Sequence, residues 1–234
     1  MRCGQPLIAA ILAGRWRHSL IKSTHMPTSF THPPENQAAD IATAIVDDLV
    51  ARGWSHQADF LPADLVLTLA AECRERADKG ALALAGVGRG TGLAVREGVR
   101  GDYIQWLEAG QSAACDQYLG IMESLRQALN RTLYLGLEEY ETHFALYPPG
   151  AFYQKHIDRF RDDDRRTVSA VLYLNQDWLP EQGGALRLHL DGKTQQDILP
   201  SGGSLALFLS ADMPHEVLAA TRERLSLTGW FKRR

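Results

Sequence analysis

Two stretches of the chain carry side chains able to hold a metal ion. His156-Ile157-Asp158 places an imidazole and a carboxylate at positions i and i+2. On a strand such residues face the same way, about 6.5 Å apart along the chain, and can meet at one cation. Further on, Met213-Pro214-His215 follows a strand-like run and a polar turn, so His215 can reach back as a third ligand. Two nitrogens and one carboxylate on one side of an ion leave its other positions open, an arrangement suited to ferrous iron and oxygen chemistry. The His-x-Asp spacing alone is weak evidence. With eight histidines and 16 aspartates in 234 residues, chance supplies about one match in every two chains. A second match, His189-Leu190-Asp191, runs into Asp191-Gly192, a hairpin signature that assigns its aspartate to a turn.

Nine residues beyond His215, Arg224 opens the run Arg-Leu-Ser-Leu-Thr-Gly-Trp-Phe. Alternation puts Arg224, Ser226, Thr228 and Trp230 on one face and Leu225, Leu227 and Phe231 on the other. An inward guanidinium needs an anion, because a buried unpaired charge is costly. An internal acid could supply it; beside a metal triad, a dicarboxylate cosubstrate gripped in bidentate fashion fits better. Tyr173 shares a strand face with Thr167, Ser169 and Val171, where its phenol could donate to the same carboxylate or to a backbone carbonyl.

The elements that must position these groups change character half-way along the chain. From Ala39 the apolar residues Ile41, Ile45, Leu49 and Val50 recur at helical spacing until Gly53. Pro62-Ala63-Asp64 opens a second helix to Asp78, and a third is expected over Ala113 to Leu133, with Leu119, Met122, Leu125 and Leu129 on its buried stripe. From Thr142 the period becomes two. Short strands are expected at 142–147, 153–158, 167–174, 185–190, 194–198, 204–208, 216–219 and 224–231, separated by turn formers such as Pro148-Pro149-Gly150 and Gly202-Gly203. About eight such strands indicate a sandwich, barrel or jelly roll. The fold class is therefore α+β, with N-terminal helices buttressing a β core.

Composition sets the outer limits. With 45% hydrophobic and 23% charged residues the chain matches neither a disordered polymer nor a fibrous repeat. Its 25 basic and 28 acidic residues, net −3, argue against a nucleic-acid polyelectrolyte, so no direct nucleic-acid partner is expected. Cys3, Cys73 and Cys115 are scattered and form no CxxC pair, which points to a reducing, cytoplasmic setting. The early apolar run Leu7–Ala13 is too short to span a bilayer, and basic residues follow it at once. Residues 1–37 read as a flexible arm, with Met26 a possible second start, and residues 38–234 as a single domain.

The longer motifs carry a family likeness. Tyr147-Pro-Pro-Gly-Ala-Phe-Tyr153-Gln-Lys-His156-Ile-Asp158, Val171-Leu-Tyr173-Leu-Asn175-Gln-Asp-Trp178, Gly183-Gly184, Pro214-His215-Glu216-Val217 and Arg224-x5-Trp230 together resemble the 2-oxoglutarate- and Fe(II)-dependent prolyl hydroxylases, in particular the hypoxia-inducible-factor type. Val99-Arg100-Gly101-Asp102-Tyr-Ile-Gln-Trp106 resembles the segment closing that family's mobile substrate-covering loop. The resemblance runs from about Asp40 to Phe231 and implies a double-stranded β-helix, a jelly-roll or cupin-like core. It implies that His156, Asp158 and His215 bind iron, and that Arg224 and Tyr173 hold the distal carboxylate of 2-oxoglutarate in a pocket lined by Tyr147, Tyr153 and Thr228. It further implies substrate contacts at Arg166 and Trp230, and an Arg100–Asp102 pair anchoring a lid whose flexible half is residues 85–92.

Cosubstrates would be 2-oxoglutarate and O2, with ascorbate as a reductant and succinate and CO2 as co-products. The partner would be a protein bearing a target proline, an elongation-factor GTPase if the chain is bacterial, met by a monomeric enzyme. Residues 85–97 are glycine-rich, unlike the animal enzymes, so the substrate transfers least well. Two other readings are a small-molecule oxygenase on the same core and a non-catalytic cupin-like metal-binding module. The Arg100-Gly-Asp block favours a polypeptide substrate, and only an enzyme needs Arg224.

Overall fold

A computed structural model describes residues 35–87, 94–95, 98–159 and 162–234. The expected arm lies outside them except at its end, where helix α1 (Glu35–Arg52) begins. Gly53 stops α1 with φ +78°, a value few residues other than glycine adopt. Helices α2 (Ala63–Asp78) and α3 (Ala113–Leu133) have the expected bounds. Pro62 precedes α2, and the Ser112 hydroxyl accepts the Cys115 amide to start α3. Their apolar stripes, Ile45 and Leu49, Leu65 and Leu69, Met122 and Leu129, bury against one face of the main sheet. No helix of the described residues is long and apolar enough to cross a membrane.

Thirteen strands are described: β1 (Trp54–Gln57), β2 (Ala83–Leu84), β3 (Gly86–Val87), β4 (Ala94–Val95), β5 (Tyr103–Trp106), β6 (Leu137–Tyr147), β7 (Tyr153–His156), β8 (Arg166–Tyr173), β9 (Leu186–His189), β10 (Gln195–Ile198), β11 (Leu205–Leu209), β12 (His215–Val217) and β13 (Arg224–Arg233). Seven form a sheet in the order β1-β11-β8-β13-β6-β5-β2, and four form a facing sheet, β10-β9-β12-β7. This is the expected double-stranded β-helix. Leu172, Leu207, Leu225 and Leu227 turn toward the helices, while Tyr147, Val171, Tyr173 and Leu188 fill the space between the sheets. The period-two alternation is what splits the two cores.

The structure departs from expectation in four places. β6 and β13 run further than expected, because Lys232 forms ion pairs with Glu139 and Glu141 across the strands and offsets a carboxylate-rich stretch with no apolar alternation. β1, β2 and β5, not anticipated, are short and gain their order from pairing, β1 with β11, β2 with β5 and β5 with β6. β7 ends at His156, so Asp158 lies just beyond the strand. The glycine-rich lid falls mostly on residues outside those described; within that stretch β3 and β4 pair as a ribbon.

Candidate functional site

The two sheets enclose a cavity of about 370 Å³. β7 brings in His156, the bend after it Asp158, and β12 opens on His215, which pairs across with His156. One ligand atom from each of the three lies within 4.8 Å of the other two, the only such cluster among the described residues. The Nε2 atoms of His156 and His215 sit 3.5 and 3.6 Å from the Asp158 carboxylate. The opposite ring nitrogens are already committed. His156 Nδ1 lies 2.7 Å from the Gln154 carbonyl and His215 Nδ1 lies 3.0 Å from the Met213 carbonyl. A carbonyl can only accept, so both Nδ1 atoms carry the proton and both Nε2 lone pairs are free for a metal.

Asp158 is ionised in this setting. Burial works against its charge, but the His215 and His156 imidazoles and the Ser169 hydroxyl outweigh that and hold it well below the usual carboxylate range. Burial also lowers His215 to about 4 against the pull of Asp158, keeping the ring neutral as a metal ligand must be. Ser169 donates to Asp158 Oδ2 at 2.7 Å and shares a 2.9 Å bond with Ser210; both serines are buried. The second His-x-Asp pair faces elsewhere: His189 bonds Glu216 at 3.0 Å, and Asp191 accepts the Lys193 and Thr194 amides of its turn.

At the closed end of the cavity Arg224 is 1% exposed and has no carboxylate partner among the described residues, which removes the internal-acid alternative. Its Nε donates to the Gly184 carbonyl at 2.9 Å, while Nη2 is buried with no hydrogen-bond partner among the described residues. Gly184 is bound to its identity here. It has φ +73°, and a Cβ would lie 2.9 Å from both Ala220 Cβ and Trp178 Cζ2, so only glycine brings that carbonyl under the guanidinium. The Tyr147 and Tyr173 rings flank the Arg224 guanidinium at 5.0 and 5.1 Å. Burial pushes the Tyr173 phenol up to about 12 against the charge and the nearby N–H groups of Arg224, so it stays protonated, and its hydroxyl has no partner at hydrogen-bond geometry among the described residues. Two orphaned buried donors side by side fit a carboxylate, and the His/Asp/His set fits a ferrous ion.

Of the residues singled out from sequence, Tyr147, Tyr153, Thr228, Arg166, Arg100, Asp102 and Trp230 line the cavity with the triad and Arg224. Tyr173 does not reach its wall and sits behind Arg224. Tyr153 stacks on His156 at 3.7 Å, and the Arg100 guanidinium lies 4.5 Å from the centre of the Tyr153 ring. Arg100 grips the fully buried Asp102 in a bidentate pair, Nε and Nη2 donating to the two carboxylate oxygens at 2.7 and 2.5 Å. Arg166 donates to Glu141 and covers the Trp230 ring. Sequence reading missed the Ser210 contact, the Gly184 cradle and His143, which lines the cavity mouth between Trp106 and Trp230.

Residues 142–232 match the 2OG-Fe(II) oxygenase superfamily. A Pseudomonas putida prolyl-4-hydroxylase structure is 59% identical, aligns with TM-score 0.76 and is covered over 99% of its length by 82% of this chain. The chain belongs to the 2OG-Fe(II) oxygenase superfamily. Two further relatives share less of the sequence. A Trichoplax adhaerens prolyl hydroxylase, solved in complex with a hypoxia inducible factor oxygen degradation domain peptide fragment, is 26% identical with TM-score 0.75 over 84% of this chain and 91% of that one. Human Egl nine homolog 1 is 35% identical over 143 residues, 57% of this chain. The chain spans about a third of the length of that curated relative. Fe(II) and 2-oxoglutarate are the cofactor and cosubstrate that the superfamily's description names, and the buried donors described above suit both.

Proposed function

We propose that the protein is an Fe(II)- and 2-oxoglutarate-dependent dioxygenase that 4-hydroxylates a prolyl residue of a protein substrate. The observation that carries this is the buried guanidinium of Arg224, with a free donor, in the same cavity as two histidines and an aspartate. A structural ion pair would leave no such vacancy, and a simple metal-binding module would have no use for it.

In this reading His156, Asp158 and His215 hold the iron on one face. When bound, the metal and cosubstrate supply the oxidative chemistry, with succinate and CO2 as co-products. The chain's own work is to bind and orient. Arg224 fixes the far carboxylate of 2-oxoglutarate, Tyr173 backs Arg224 from behind, Gly184 fixes Arg224, and Tyr147 and Thr228 shape the pocket wall. Arg100, clamped to Asp102, closes one side over Tyr153. Arg166 and Trp230, on the cavity wall, meet the substrate. The single domain from about residue 38 onward carries this chemistry, and ascorbate serves as reductant.

The substrate is a protein: the P. putida structure is named a prolyl-4-hydroxylase and the T. adhaerens enzyme holds a peptide. An elongation-factor GTPase is the first candidate. The free, buried thiols of Cys73 and Cys115 support a reducing, cytoplasmic setting. The test is to incubate the protein with Fe(II), 2-oxoglutarate and candidate proteins and follow succinate and the gain of one oxygen atom at proline by mass spectrometry. Oxygen found on a free small molecule and never on a prolyl residue would overturn the proposal.

A further inference from the structure

The wall between the metal triad and the cavity mouth carries a donor and an acceptor that the protein leaves unmatched. Trp230 is 6% exposed and lines the cavity, yet its indole Nε1 is buried without a hydrogen-bond partner among the described residues. An unpaired buried donor is destabilising, so its retention calls for a ligand acceptor. His143, 2% exposed, lines the same wall. Its Nδ1 lies 3.1 Å from the Phe144 carbonyl, which can only accept, so the proton sits on Nδ1 and Nε2 presents a lone pair. Nothing among the described residues donates to that Nε2. Burial lowers the ring to about 4 and keeps it neutral at physiological pH, against the pull of Asp102.

Strand register sets the spacing of the two groups. His143 pairs with Thr228 and Trp230 with Glu141, which makes Trp230 and His143 diagonal neighbours on β13 and β6, ring centres 5.7 Å apart. Trp106 packs edge-on to His143 at 5.0 Å and is 44% exposed, extending the wall outward as an apolar shelf. On the other side the Arg166 guanidinium lies 3.4 Å over the Trp230 ring, and Glu141 fixes it there. The indole is thus packed against Arg166 and His143 with its N–H unused.

We propose that the Trp230 indole N–H and the His143 Nε2 form a main-chain reading site, taking the C=O and N–H of one extended, non-prolyl residue beside the target proline of a peptide substrate. This deepens the prolyl-hydroxylase reading and rests on it. In an extended chain the N–H and C=O of one residue point to the same side, as they do in a hydrogen-bonded antiparallel pair. A donor and an acceptor on the wall therefore stand in for a neighbouring strand. Proline has no N–H to give, so the residue read is a flanking one. Recognition of this kind fixes the direction and depth of the peptide while asking little of its side chains.

The test uses protein loaded with Mn(II) and 2-oxoglutarate, so that no turnover occurs, and a capped alanyl-prolyl-glycyl-alanine amide followed by NMR line broadening. Two further peptides carry an N-methyl group on the residue before or after the proline. In the wild type one of these methylations weakens binding by about three- to tenfold, the loss of one hydrogen bond. His143→Phe weakens the parent peptide by a similar factor and no longer distinguishes it from that methylated peptide. Trp230→Phe keeps an aromatic ring, removes the N–H and weakens all three peptides alike. The thermal shift on 2-oxoglutarate binding, unchanged in His143→Phe, confirms an intact fold. Equal binding of all three peptides to the wild type, or discrimination that survives His143→Phe, overturns the reading site and leaves the hydroxylase proposal standing. Failure of the wild type to bind any prolyl peptide removes both.

Discussion

Replacing Arg224 by methionine separates two explanations of a buried cation. Arg224 is 1% exposed, so its environment is the protein interior with or without ligand. Were it half of an internal ion pair, removing it would strand a buried carboxylate and cost about 3–5 kcal/mol of stability. The described residues offer no such carboxylate. What is lost is one charge-assisted bond to the Gly184 carbonyl, on the order of 1.5–3 kcal/mol. What is gained is relief of an orphaned Nη2, about 1–3 kcal/mol, with the apolar stem replaced by one of similar length. These nearly cancel, so Arg224→Met unfolds in urea within roughly 1–2 kcal/mol of wild type when no cosubstrate is present. Affinity for 2-oxoglutarate behaves differently, because truncating one partner of a buried charge pair costs about 2–5 kcal/mol, from tens- to thousands-fold. Calorimetric titration of 2-oxoglutarate into Mn(II)-loaded protein measures the second quantity, and binding of Mn(II) itself stays near wild type. A stability loss of 4 kcal/mol or more (about the ion-pair value) with cosubstrate affinity intact would refute the reasoning.

Two further perturbations probe the groups around the metal. Ser169→Ala removes the hydroxyl that steadies Asp158 Oδ2 and is expected to weaken Co(II) or Fe(II) binding by about 10–100-fold, with Ser169→Thr restoring most of it; unaltered metal affinity in the alanine variant would show that the two histidines alone orient the carboxylate. Buried His143 has a folded-state value near 4 against about 6.5 when unfolded, so the unfolded chain takes up the proton first as pH falls. Its contribution is therefore complete above pH 6.5 and lost on acidification, by roughly 3 kcal/mol at pH 4. Urea titrations at pH 7 and pH 4 should show a smaller acid loss for His143→Phe than for wild type, and equal losses would place the imidazole in contact with water.

The parts legible in the sequence are those whose signal is local. Helices α2 and α3 have start signals, Pro62 and Ser112, and unbroken apolar stripes, so their bounds follow from a few residues each. The His156, Asp158, His215 and Arg224 set stood out because buried imidazoles and guanidinium groups are uncommon and each lay on or beside a readable strand. What was illegible depends on pairing. The extended ends of β6 and β13 look like a charged surface until Lys232 is seen between Glu139 and Glu141. Ser169 and Ser210 are ordinary serines until β8 and the turn after β11 place them 2.9 Å apart behind Asp158.

His143 makes the same point at the cavity mouth. In sequence it is one histidine in the strand run 142–147, with Thr142 and Phe144 on either side and no partner at a chemically telling spacing. Its meaning arises only when β5 brings Trp106 to one side and β13 brings Trp230 to the other, a convergence of residues 106, 143 and 230 fixed by backbone register. The metal and cosubstrate ends of the pocket hold small, invariant chemical groups, and rare residue types suffice to announce them. The substrate end must hold a peptide backbone, whose N–H and C=O groups are met by side chains common everywhere in proteins. Only register sets such side chains apart, so specificity is the part of this enzyme that the sequence conceals longest and that substitutions at Trp106, His143 and Trp230 should alter before they alter the oxidation itself.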